Sequence, residues 1–174
     1  MKKAIIITLF VLLSSSAFSA TKKQLINALF VAARKGNLTK VKRLIAKGAD
    51  VHTKNKYGET ALMYACAGGN LDIVKYFIAK GSKVNVKNRL GNTALMYACQ
   101  RGHLDVVKYL ISKGADVKVR DRYGKAALFH ACLLNRLDIV TYLISKDADV
   151  NVRNKYGITV LMGACFGGSL DIVK

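Results

Sequence analysis

The sequence predicts an all-α repeat solenoid of stacked helix–turn–helix units joined by hairpin loops, with a 33-residue period. Three observations predict it. Landmarks recur at one spacing: Leu38, Leu71, Leu104, Leu137 and Leu170; Gly58, Gly91, Gly124 and Gly157; Cys66, Cys99, Cys132 and Cys165. Residues 55–87 aligned with 88–120 give 20 identities in 33, and a fixed period of this size marks a stacked array. Each copy also carries two short helical patterns, and neither can bury its apolar stripe without a neighbouring copy.

Each element follows from its residues. Thr60 stands where its hydroxyl can cap a first helix running through Ala61-Leu62-Met63-Tyr64-Ala65-Cys66. Gly69 suits a left-handed helix end. A second helix is expected over Leu71–Lys80, with Asp72 in its first turn and Lys80 in its last, both matched to the helix dipole. Leu71, Val74, Phe77 and Ile78 share one face of it. Gly81 ends that helix, and Val84 and Val86 begin an extended segment toward the next turn at Asn88-Arg89-Leu90-Gly91.

Composition narrows the classes. The chain has 174 residues, room for one compact domain or one short array. At 52% hydrophobic it is too apolar for a disordered chain. The absence of proline removes collagen-like and proline-rich readings. Lys and Arg number 29 against 10 acids, a net charge of +19 that predicts attraction to acidic partners but says little about fold.

Residues 1–19 have the layout of a secretory signal peptide: Lys2 and Lys3, then an apolar run from Ala4 to Leu13, then Ser14 to Ala17. The run is about 10 residues, half of what a spanning helix needs, so no stable membrane anchor is expected. Cleavage after Ser19 leaves small residues at the right positions. The expected location is secreted or periplasmic, with the repeat domain over 20–174. Its units are 21–54, which lacks a leading hairpin, then 55–87, 88–120 and 121–153, then a partial unit 154–174.

Gly91-Asn92-Thr93-Ala94-Leu95, Gly102-His103-Leu104 and Gly114-Ala115-Asp116-Val117 resemble the ankyrin repeat. The resemblance covers essentially all of the chain after the leader. It departs where the family has Pro (Ala61, Ala94, Ala127, Val160) and His (Met63, Met96, Phe129, Met162). These changes keep the core apolar. The resemblance implies a binding module whose hairpin tips and first-helix ends line a concave surface, and it carries Glu59, Leu90, Asn92, Leu133, Leu134 and Phe166 onto that surface.

The cysteines read as structural. Equivalent atoms of stacked helices lie about 8–10 Å apart, beyond the roughly 7 Å that a disulfide allows between Cα atoms. Strung along a stack, they cannot converge on a metal either. Neither metal nor cofactor is expected. Nor is an enzyme: most of the Asp residues sit at repeated structural sites, His52, His103 and His130 occupy three different repeat positions, and no phosphate-binding loop occurs.

The informative surface is a basic ladder. A cation flanks each hairpin Asn or Asp on either side: Lys54 and Lys56, Lys87 and Arg89, Arg120 and Arg122, Arg153 and Lys155. Tyr57, Tyr123 and Tyr156 follow the second cation, and Lys118, Lys125 and Arg101 extend the set. Tyr and Arg are the residue types that most often anchor interfaces. The expected function is to dock an acidic protein partner on Lys54, Lys56, Tyr57, Lys87, Arg89, Leu90, Arg101, Arg120, Arg122, Tyr123, Lys125, Arg153, Lys155 and Tyr156. The rival class is a binder of nucleic acid or another polyanion, and the bland alternative is a solvated lysine-rich face.

Overall fold

The structure, a computed structural model, describes residues 23–168 and Asp171. The expected signal peptide over 1–19 and most of the expected second helix of the last unit lie outside the described residues. Helix α1 covers 23–34. It is followed by α2 (Leu38–Ala46), α3 (Ala61–Ala67), α4 (Leu71–Ala79), α5 (Ala94–Arg101), α6 (Leu104–Ser112), α7 (Ala127–Leu133), α8 (Leu137–Ile144) and α9 (Val160–Phe166). Each unit is a helix pair. First helices stack in sequence order, α3 on α5, α5 on α7, α7 on α9; second helices do the same from α2 to α8. This is the all-α repeat solenoid.

Packing between copies explains the burial pattern. Leu62, Leu95 and Leu128 are fully buried because a following unit covers them. In the second helices Ile73, Val74 and Phe77 form the buried face of α4, while Leu71 and Ile78 lie half-buried at its margins. The buried stripe is therefore turned by one position toward Ile73 from the expected set. The α4 helix stops at Ala79, with Lys80 as its cap.

Local chemistry sets the helix ends. Thr60, Thr93 and Thr159 accept the backbone N–H of Met63, Met96 and Met162 at 3.3, 3.4 and 3.1 Å. Ala126 holds the same position on α7 and caps nothing. The turns after both helices need a left-handed residue, which glycine supplies in most units. The unit 121–153 has Asn135 at φ 53 and Asp147 at φ 58 instead, a conformation that costs side-chain-bearing residues about 1 kcal/mol.

The four cysteines are free thiols, Cys66, Cys99 and Cys132 buried and Cys165 exposed. Burial pushes the Cys66 and Cys99 thiols far up, and Cys132 up to about 11, which leaves little thiolate for chemistry.

Candidate binding surface

Every hairpin is built on one acceptor. Asn55 Oδ1 accepts the backbone N–H of Tyr57 at 2.8 Å and of Glu59 at 3.0 Å. Asn88 does so for Leu90 and Asn92, Asp121 for Tyr123 and Lys125, and Asn154 for Tyr156 and Ile158. Asn and Asp favour such turns because their short side chains reach backbone two residues on. Antiparallel bridges, Lys54 with Thr60 and Arg153 with Thr159, close the first and last hairpins. Asn88, Asp121 and Asn154 are buried with their bonds made, so the residues before and after each point outward. That alternation places a cation on both sides of each tip.

The tips are joined. Arg89 N–H donates to Tyr57 O at 2.9 Å, Arg122 N–H to Leu90 O at 2.8 Å and Lys155 N–H to Tyr123 O at 2.8 Å. Backbone bonds between successive hairpins thus fix the row of side chains at its register. Lys54, Lys56, Tyr57, Lys87, Arg89, Leu90, Arg120, Arg122, Arg153, Lys155 and Tyr156 are exposed along it; Tyr123 and Lys125 are half-buried. Cations lie over rings: Lys56 over Tyr57 at 4.9 Å, Lys155 over Tyr123 at 4.6 Å and Tyr156 at 5.2 Å, and Arg122 over Tyr123 at 5.8 Å. Such contacts hold the aromatic faces and the charges together.

The ladder is less uniform than its sequence suggests. Arg120 pairs with Asp149 at 3.7 Å, both about half exposed, a surface pair of little stabilising value. Lys87 Nζ donates to Arg120 O at 3.4 Å. Lys125 folds over the buried Phe129 ring at 5.2 Å. Among the described residues none of the second cations, Lys56, Arg89, Arg122 and Lys155, forms a salt bridge. Arg101 is exposed but sits apart from the tips, in the last turn of α5. Of the other surface residues implied by the resemblance, Leu134 and Phe166 are exposed, and Asn92 and Leu133 half-buried.

Glu59 faces inward to the fold. Its carboxylate accepts the Tyr97 hydroxyl at 2.6 Å, the Asn55 amide at 2.8 Å and the Tyr64 hydroxyl at 3.0 Å. Burial raises its pKa, but these three bonds and the charge of Arg34 outweigh burial and hold it below the usual carboxylate value. Arg34 and Arg101 line the small pocket above it with Tyr64 and Tyr97. This cluster links unit 55–87 to unit 88–120 through the Glu59–Tyr97 bond.

Two arrangements escaped the sequence. The first joins tip to helix: Asn55 and Asn88 donate to the Tyr64 and Tyr97 hydroxyls, at 3.3 and 3.1 Å, and Asp121 meets His130. Tyr64, Tyr97 and His130 share one repeat position, the signal that could have found it. The second lies on the second helices. Tyr76 is flanked by Lys42 and Lys80, Tyr109 by Lys75 and Lys113, and Tyr142 by Lys108 and Lys146, all within 5.6 to 5.9 Å. The 33-residue spacing of Lys42, Lys75 and Lys108 was the visible signal.

Among the described residues no group of His, Cys, Asp and Glu can hold a metal ion, and no helix is long and apolar enough to cross a membrane. No curated protein matches the chain. A family model described as ankyrin repeats (3 copies) matches residues 29–121 and 118–174. That match spans both the hairpin row and the helix stack that carries it, and the chain belongs to the ankyrin-repeat family.

Proposed function

We propose that this chain is an exported, non-enzymatic binding module that docks an acidic protein surface on its hairpin row. Ankyrin repeats generally mediate protein–protein interaction. The observation that carries the finer reading is the row itself: Lys56, Arg89, Arg122 and Lys155 stand exposed on tips tied to one another by backbone bonds. Steps of about 10 Å are close to the Debye length near 8 Å, so the cations act as one field. Tyr57, Leu90, Tyr123 and Tyr156 add apolar area between them. The leader at residues 1–19 supports export to a secreted or periplasmic location.

The test is affinity capture from the extracytoplasmic fraction with three baits. Replacing Lys56, Arg89, Arg122 and Lys155 by Gln should lose the partner that the wild-type chain retains. Replacing Lys75, Lys80, Lys108 and Lys113 by Gln removes the same charge from the second helices and should keep it. Equal loss from both would overturn the surface assignment.

One observation favours a second reading, a polyanion binder. The lysine–tyrosine pairs on the second helices spread positive charge over another face. A polyanion would lose affinity log-linearly with salt and show little preference among partners.

A further inference from the structure

Among the described residues, the row of tips begins with an open donor. In the units that follow, the N–H after the tip Asn or Asp donates to the carbonyl of the preceding tip: Arg89 to Tyr57, Arg122 to Leu90, Lys155 to Tyr123. The equivalent donor in the first hairpin is Lys56 N–H, and it has no partner among the described residues. The physical cause is α1. Lys23 stands 33 residues before Lys56, yet it lies in a helix, where every later unit has a hairpin. A cleft of about 720 Å³ opens there between α1 and the first hairpin.

Its walls are of one kind. Phe30 stacks on Tyr64 at 5.1 Å and forms part of the wall. Val31 and Tyr57 are 51% and 56% exposed beside it, apolar area that a solvated surface has no reason to gather. Lys23, Lys54 and Lys56 border it, and no acid lines it. We infer that this cleft receives an extended acidic segment of the partner protein, which extends the row of tips by accepting the Lys56 N–H. The inference rests on the binding-module reading above. A strand carbonyl would take the place that Tyr57 O takes for Arg89. Alternate side chains would then fall on opposite sides, apolar ones against Val31 and Tyr57, carboxylates toward the lysines, as strand addition requires.

The experiment uses the full chain and a fluorescein-labelled heptapeptide alternating aspartate with leucine, followed by anisotropy. Lys56 is the second residue of a turn closed by Gly58 N–H to Asn55 O at 2.9 Å, a position proline favours. Lys56→Pro therefore removes the N–H while suiting the turn, and Lys56→Gln removes the charge alone. The expected result is that Lys56→Pro binds the peptide at least about fivefold more weakly than Lys56→Gln, the worth of one hydrogen bond. Val31→Asp, at an exposed helix position, should also weaken it. The double variant Lys108→Gln, Lys113→Gln, which removes two charges from the second helices, should bind within about twofold of wild type. Equal affinities for Lys56→Pro and Lys56→Gln, with Val31→Asp unchanged, would overturn the cleft. So would no measurable binding to the wild-type chain, or equal binding of a peptide with the aspartates and leucines in separate blocks. If replacing Arg89 and Arg122 by Gln lost the peptide while Lys56→Pro and Val31→Asp kept it, the hairpin row would stand and the cleft would fall.

Discussion

Asp121 Oδ2 lies 3.3 Å from His130 Nε2, off the line of a straight hydrogen bond, where the preceding units pair Asn55 with Tyr64 and Asn88 with Tyr97. The exchange keeps donor matched to acceptor. An Asn amide donates to a Tyr hydroxyl; an Asp carboxylate can only accept, and the imidazole supplies the N–H. Burial raises the Asp121 pKa, but His130 and the backbone N–H groups of Lys125 and Tyr123 more than offset it and hold the carboxyl below its ordinary value. A carboxyl with a depressed folded pKa stabilises above its unfolded value, and that contribution is lost as pH falls through the folded one. Asp121→Asn should therefore cost about 1–2 kcal/mol at pH 7, and the deficit should shrink at pH below about 4. The double variant Asp121→Asn, His130→Tyr recreates the pair of the preceding units and should recover most of it. Urea unfolding at both pH values checks this, and a pH-independent deficit would refute it.

Ala126 leaves α7 without the cap that its counterparts Thr60 and Thr93 provide. Ala126→Thr should place a hydroxyl under the Phe129 N–H and stabilise by about 1 kcal/mol. A lower denaturation midpoint for this variant would mean the buried site has no room for the added atoms.

Asp147 is held at φ 58 in a place that Gly81 and Gly114 fill in the preceding units. Asp147→Gly should raise stability by about 0.5–1 kcal/mol. Asn135→Gly should gain less, because Asn tolerates the left-handed region better. Thermal unfolding of the two variants gives the order.

Cys66, Cys99 and Cys132 should alkylate slowly in the folded chain, and Cys165 quickly, because only Cys165 is exposed and burial raises the other thiols. Timed iodoacetamide labelling with mass spectrometry resolves the four sites. A native disulfide between any two of the buried three would contradict the stacking distance.

The proposed leader at residues 1–19 predicts a mature N-terminus near Ala20. Intact mass of the protein purified from its native source measures this directly, and retention of Met1 in the cytosolic fraction would refute export.

The repeat period, the helix pair, the Thr60 cap, the left-handed end at Gly69 and the structural role of the cysteines were all legible in the sequence. Each depends on residues close in the chain or on exact recurrence, and a stack built from near-identical units copies local chemistry faithfully from one unit to the next. What only the tertiary structure decided lies between units. Arg120 and Asp149, Glu59 and Tyr97, and Lys75 and Tyr109 are 29 to 38 residues apart, and no periodicity says which side chain turns toward its neighbour. The cleft at α1 is the extreme case. Lys23 occupies a hairpin position by count, yet it lies in α1, and among the described residues the Lys56 N–H has no acceptor.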